Sequence, residues 1–339
     1  MPRMLSDKGT LSDTMRPTMM MLATTRTAAA LAELADLATF AADMAAASKS
    51  SNTRRAYRAD FAAFDAWCAD AGLEAMPAKA ETVAMYAASL VREGLKPSSI
   101  ARAVAAIAYA HKLAGHDSPT KSTAVRETMA GIRRELGVAP SRKAPALADD
   151  VRRMVASLPA DLLGVRDRAV LLLGFVGAFR RGELASLDVA DLAFDARGVV
   201  VTVRRSKTDQ EGEGMVKGIP FAADPALCPV RALRAWLDAA AVTAGPIFRS
   251  LDRWGHVAEE RMSDRAVART VQRAAEAVGL DASRFAGHSL RAGFVTSAHL
   301  AGKAEADIMR QTGHRSVRVF RGYIRTADAF RANAAAGLL

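Results

Sequence analysis

Between Ser48 and Gly137 the apolar residues recur at helical spacing in one segment after another. Tyr57, Phe61, Phe64 and Cys68 fall at i, i+4, i+7 and i+11, behind a cap at Asn52 or Thr53. Glu81–Val91 forms a second apolar-faced segment. Pro97 and Ser98 open a third, with Ile100, Val104, Ile107 and His111 on one side. Val125, Met129, Ile132 and Leu136 mark a fourth, and Gly137 is a suitable stop. The pattern predicts a compact four-helix unit.

Past this unit the pattern changes. GVAPSRKAP, from Gly137 to Pro145, is short, basic and Pro-containing, and reads as an interdomain linker. Leu147, Val151, Met154 and Leu158 then begin a second unit. Ala169–Phe179 is apolar on every side, which predicts a buried central helix. Val199–Val203 is short and β-branched. A charged, Gly-rich turn follows, then Met215–Phe221, so a small hairpin is expected with Lys207 on its loop side. Helices resume around Val230–Leu237 and at Ser263–Val278, the latter with Val267, Val271, Ala274 and Val278 on one face. Ahead of both units, residues 1–26 show no periodicity. Thr27–Ala47 is an Ala- and Leu-rich helix whose thin apolar side (Leu31, Leu34, Met44) suits docking on a partner better than closing a core. The expected division is 1–47 tail and docking helix, 48–137 helical domain, 138–146 linker, 147–326 second domain and 327–339 C-terminal tail. That tail is Ala-rich with Phe330, Leu338 and Leu339, and is expected to dock on a neighbouring subunit.

Composition narrows the partner. The 339-residue chain is half hydrophobic and carries a net charge of +11, with a pI near 10.1. A folded protein this basic points to a polyanion, nucleic acid before others. Cys68 and Cys228 stand far apart with no metal-ligand spacing, so neither a disulfide framework nor a zinc site is expected, and no cofactor is implied. There is no membrane-length apolar run and no signal-peptide pattern, so a cytoplasmic protein without a membrane partner is expected.

The chemistry lies in the second unit. Of four tyrosines, Tyr57, Tyr86 and Tyr109 sit in the first third, and Tyr323 stands alone in QTGHRSVRVFRGYIR. Upstream come Arg180 in GAFRRGEL, Lys207 in RRSKTD, and His288 and Arg291 in GHSLR. Breaking a phosphodiester without metal needs a nucleophile, cations for the non-bridging oxygens and an acid for the leaving oxygen. A phenol can supply the first, arginines the second, and His288 and Lys207 can move protons. Singly, each motif has an ordinary reading. HxxR recurs by chance, Arg180 and Arg181 can be a surface pair, His288 a satisfied core histidine, Lys207 a solvated charge, and Tyr323 a packed ring. Lys217 and Arg181 remain alternatives for their neighbours.

The ordered set, R-x-G-E-L after a buried helix, S-K-T in a hairpin, G-H-S-L-R, then G-H with Tyr nine residues on, resembles the tyrosine recombinases, also called the phage-integrase family. The likeness runs from Ser48 to Phe330. Within the family it is closest to Cre-type site-specific recombinases, through AWC at Ala66–Cys68, GHS at Gly287–Ser289 and GYIR at Gly322–Arg325. Cre carries Trp where this chain has His314, whereas most of the family has His. The resemblance implies a mainly α fold: an N-terminal helical core-binding (SAM-like) domain, and an α-rich catalytic domain with a small β-hairpin or sheet, forming a C-shaped DNA clamp. It implies Tyr323 as nucleophile, assisted by Arg180, Lys207, His288, Arg291 and His314, with Glu183 supporting from behind. It further implies a homotetramer on two double-stranded DNA sites, exchanging strands through a 3′-phosphotyrosyl intermediate. Arg54, Arg55 and Arg58, largely off the first apolar stripe, and Ser98, Ser99 and Arg102 are expected to face DNA. Arg102 and Arg265 are the base-reading candidates. A type IB topoisomerase shares the nucleophile and cations, and a decayed, binding-only integrase is the other rival. A helical interaction module leaves the ordered cations unexplained, and a metal-dependent integrase needs a carboxylate cluster that the sequence lacks.

Overall fold

A computed structural model describes residues 30–37, 39–40, 44, 49–138, 143–204 and 214–324. The expected tails at 1–26 and 327–339, and the hairpin tip with Lys207, lie outside the described residues. The chain divides into two compact units, residues 1–140 and 141–339.

The first unit contains α1 (Ser51–Asp70), α2 (Ala80–Arg92), α3 (Pro97–Leu113) and α4 (Thr123–Leu136). The cap of α1 falls earlier than the sequence suggested. Ser50, in extended conformation, accepts from the Thr53 amide at 3.2 Å, while Asn52 and Thr53 lie inside the first turn. Phe64 and Cys68 from α1, Val83 and Tyr86 from α2, Ile100 and Ile107 from α3 and Val125 and Met129 from α4 close one core. His111 belongs to that core. Its Nδ1 donates to the Ile107 carbonyl and its Nε2 accepts from the Ala78 amide, both at 2.8 Å. The last stripe position, Leu136, is exposed at the helix end, and Gly137 takes the left-handed φ of 71° that stops α4. Residues 30–37 are helical, and Leu31, Leu34, Leu37, Phe40 and Met44 are exposed.

The second unit begins with α5 (Ala148–Ala156) and α6 (Leu162–Val176), whose Ala169–Gly174 stretch is buried on all sides. The apolar run extends to Phe179 as expected, yet the helix stops at Val176. At Gly177 a β-carbon would come within 2.1 Å of the Phe179 ring, so the chain must turn there on a glycine. Next come α7 (Arg181–Ser186) and a three-stranded antiparallel sheet, β1 (Leu192–Asp195), β2 (Gly198–Val203) and β3 (Met215–Pro220), in that order. The β2–β3 register places Val201 opposite Lys217. After α8 (Pro229–Ala239), a short pair, β4 (Arg249–Leu251) and β5 (Val257–Arg261), precedes α9 (Asp264–Ala277), α10 (Gly287–Leu300), α11 (Glu305–Thr312) and α12 (Val317–Ile324). Trp236, Phe179, Leu173, Val201, Phe248, Val271 and Leu290 share the main core. Val295, Ile308, Phe320 and Ile324 form a smaller one that ties α12 to α10 and α11. The fold is mainly α with small antiparallel sheets.

Candidate active site

Arg180 stands at the N-terminus of α7, where its amide donates to Glu183 Oε2 at 2.9 Å and its Nη1 to Oε1 at 2.5 Å. The Glu183 side chain is 3% exposed, so one buried carboxylate fixes both the main chain and the head group of Arg180. Arg181 turns elsewhere, onto Asp264 at 3.0 Å, which leaves Arg180 as the arginine of this cluster.

Arg291 lies one turn into α10 and is 1% exposed. Its Nη1 donates to the Ala178 carbonyl at 2.8 Å and its Nη2 approaches His314 Nε2 at 3.2 Å. It also hydrogen-bonds the Tyr323 hydroxyl. Burial, and then the neighbouring Arg180 charge, bring its pKa down to about 10, opposed by Glu183 and Tyr323. It therefore stays charged at neutral pH.

His314 follows Gly313, whose left-handed cap ends α11. A guanidinium can only donate, so His314 Nε2 is the acceptor toward Arg291. The ring proton is then on Nδ1, which donates to Thr312 Oγ1 at 2.7 Å, and that hydroxyl in turn donates to the Ile308 carbonyl at 2.8 Å. Burial first, then Arg291, Arg180 and Lys217, push the imidazole pKa down to about 4. The ring is neutral. Tyr323, half-buried on α12, has its ring centroid 5.3 Å from that of His314, and its carbonyl lies 3.5 Å from Thr296 Oγ1.

Lys217, the alternative to Lys207, turns inward from β3. It is 1% exposed, with Nζ 2.6 Å from the Gly177 carbonyl and 4.6 Å from the Phe179 ring centroid. Burial pulls its pKa down to about 7; Glu183 opposes this, and Arg291 and Arg180 add to it. An amino group committed to a main-chain carbonyl is poorly placed to follow a leaving group. His288, in the first turn of α10, is exposed, which removes the core-histidine reading, and it lies one turn before Arg291 on the same helix.

The arrangement thus brings Arg180, Glu183, Arg291, His314 and Tyr323 together. Gln311 and Thr312 were not foreseen, and Lys217 stood only as an alternative to Lys207, because nothing in apolar spacing marks which polar side chain turns inward to a buried partner. Chemically, a phenol beside a permanent cation, with a second arginine and a neutral imidazole nearby, suits attack on an anionic phosphorus centre. Among the described residues, no group of three or more His, Cys, Asp or Glu is placed to hold a metal ion, and no helix is long and apolar enough to cross a membrane.

In the first unit, Arg54, Arg55 and Arg58 are exposed on α1, as is Ser98 at the start of α3, with Ser99 partly covered. Arg102 is exposed but engaged by Asp60 of α1 in two bonds of 2.7 and 3.0 Å. In the second unit, Arg265 is exposed on the first turn of α9.

Residues 146–329 match the phage integrase family, and residues 37–116 match the SAM-like N-terminal domain of phage integrases. The chain belongs to the phage integrase family, the tyrosine recombinases. This integrase is 39% identical over 279 residues to an integrase/recombinase xerD homolog of Selenomonas ruminantium, covering 81% of its own chain and 82% of that one. Among solved structures it resembles lambda integrase (residues 75–356) bound as a dimer to a COC' core site, with a TM-score of 0.55 and 20% identity over 85% of this chain and 93% of that one. It also resembles the XerH site-specific recombinase in a post-cleavage complex with palindromic difH, with a TM-score of 0.51 and 16% identity over 73% and 67%. At those identities the structural likenesses speak for the fold of the integrase.

Proposed function

We propose that this integrase exchanges DNA strands between two sites through a 3′-phosphotyrosyl bond on Tyr323. The observation that carries this reading is the contact of the Tyr323 hydroxyl with Arg291, inside a cluster that also holds Arg180, Glu183 and His314. Arg180 and Arg291 take the non-bridging oxygens of the scissile phosphate, and Glu183 keeps Arg180 aimed. The Tyr323 oxygen attacks phosphorus, its proton passing to His288, and the P–O5′ bond breaks. Lys207, which the family likeness assigns, protonates the leaving 5′ oxygen. A 5′ hydroxyl from the second duplex then reverses the step, so the number of phosphoester bonds is conserved. Two sites held by a homotetramer in the cytoplasm complete the reading, with double-stranded DNA gripped by both units. Arg54, Arg55, Arg58, Ser98 and Ser99 contribute from the first unit, and Arg102 and Arg265 read bases.

A duplex selected by the protein from a random pool and nicked near the scissile phosphate traps the wild type as a covalent adduct on a denaturing gel, with chelator present. Tyr323→Phe binds the duplex and forms no adduct. An adduct from the Phe variant, or a strict magnesium requirement, overturns the assignment. Resealing of one duplex without exchange between two sites indicates a topoisomerase instead. Arg102→Ala and Arg265→Ala should each lose about 1–3 kcal/mol of discrimination between selected and scrambled duplexes. Equal losses on both duplexes make them backbone contacts.

A further inference from the structure

Arg180 is delivered by the turn that follows α6, and this turn is held in an unusual way. Its amides fold back on the helix: Gly177 donates to Leu173, Ala178 to Phe175 and Phe179 to Gly174. Its carbonyls point the other way, and three in succession are each taken by a side chain from a different element. Gln311 of α11 donates to Val176 at 3.1 Å, and at 3.4 Å to Gly218 on β3. Lys217 of β3 donates to Gly177 at 2.6 Å, and Arg291 of α10 to Ala178 at 2.8 Å. Ala178 itself is left-handed, at φ 47°, a conformation that an alanine does not hold without outside support.

A buried lysine is an expensive way to hold a carbonyl. Lys217 faces the cations Arg180 and Arg291 and the ring of His314, with the Glu183 carboxylate opposing them. An apolar side chain at this inward position of β3 would fill the space without desolvating a charge beside two others. We propose that Lys217 and Gln311 are positioning residues for strand cleavage, which fix the turn at 176–179 so that Arg180 reaches the scissile phosphate alongside Arg291. The proposal rests on the reading of Tyr323 as nucleophile. Lys217 acts through Arg180 and does not touch the reacting atoms.

The test uses the full-length chain and the nicked duplex selected from the random pool. Lys217→Met keeps the length and apolar volume of the stem and removes the donor. Single-turnover adduct formation is expected to slow by up to about 100-fold, the loss that a catalytic group displaced by about an ångström can cause. Affinity for the same duplex stays at the wild-type value, and amide exchange in the free protein quickens at 177–183. A role confined to holding the fold would lower affinity and rate together. If Lys217→Met fails to unfold cooperatively, Gln311→Leu is read in the same way, and its result decides. Variants that cleave as fast as a cleaving wild type overturn the proposal alone. A wild type that forms no adduct overturns the assignment of Tyr323, and this proposal with it.

Discussion

His314 has a permanent cation on one side and a hydroxyl on the other, and together they settle its tautomer. Nitrogen NMR of the free protein should find Nε2 unprotonated and the ring neutral from pH 8 down to about 4. The linkage follows from the direction of the shift. Unfolded, the imidazole titrates near 6.5, so between there and about 4 the unfolded chain takes up a proton that the fold refuses. Stability therefore falls as pH drops through that window, and His314→Gln should flatten the slope of Tm against pH there. Lys217 acts in a higher window. Its pKa is depressed from 10.5 to about 7, so across that range the unfolded chain holds a proton that the folded chain has lost, and stability rises with pH. The Tm of wild type relative to Lys217→Met should climb between about pH 7 and about pH 10, with a slope of at most about 1.4 kcal/mol per pH unit. A flat difference would mean that Lys217 stays charged throughout. The tyrosine, the two arginines, His314 and Glu183 were legible in the sequence because their order and spacing are themselves the signal. Gln311 and the inward turn of Lys217 were not, because each bonds a main-chain oxygen that only the fold brings near, and Thr312 was not, because its bonds to the Ile308 carbonyl and His314 Nδ1 leave no mark in apolar spacing.

Among the elements, α10 carries Arg291 and is packed most tightly just beyond it. A β-carbon on Gly293 would lie 1.6 Å from the Ala146 carbonyl, in a segment whose Ala146 amide already donates to Ser289 at 2.9 Å. Gly293→Ala must push the helix away from that segment. It should destabilise the second unit by about 1–3 kcal/mol or more, as overpacking does, and slow cleavage by moving Arg291 with the helix. Thermal unfolding and the adduct assay measure the two effects separately, and an unchanged Tm would show that the segment simply yields. The long helices were readable from their stripes: Phe64 with Cys68, Ile100 with Ile107, and Val267 with Val271 are all buried as the spacing required. Strands β1, β4 and β5 were missed. Leu192–Asp195 is largely exposed and Arg249–Leu251 is three residues long, too short for a period of two to declare itself.

For the whole molecule, apolar cores that stay within each unit and a short basic connection imply two independent folding units. Fragments spanning 49–138 and 143–324 should each give a helical spectrum and a cooperative melt, and a fragment that unfolds gradually would show that it depends on the other. Lys143 and Ala144 already belong with the second unit, since they bond the Ser283 and Ala286-side segment through the Ser283 and Arg284 carbonyls at 2.5 and 2.7 Å. A net charge of +11 adds a further expectation: DNA affinity should fall steeply and log-linearly with salt. The turn ahead of Arg180 also has a consequence for heredity. Because α6, β3, α10 and α11 meet at its three carbonyls, damage at any of them reaches the same arginine, and repair need not occur where the damage arose. A selection for revived recombination from a Lys217→Met parent should return second-site changes within 176–179 and on α11, far along the chain from the original lesion.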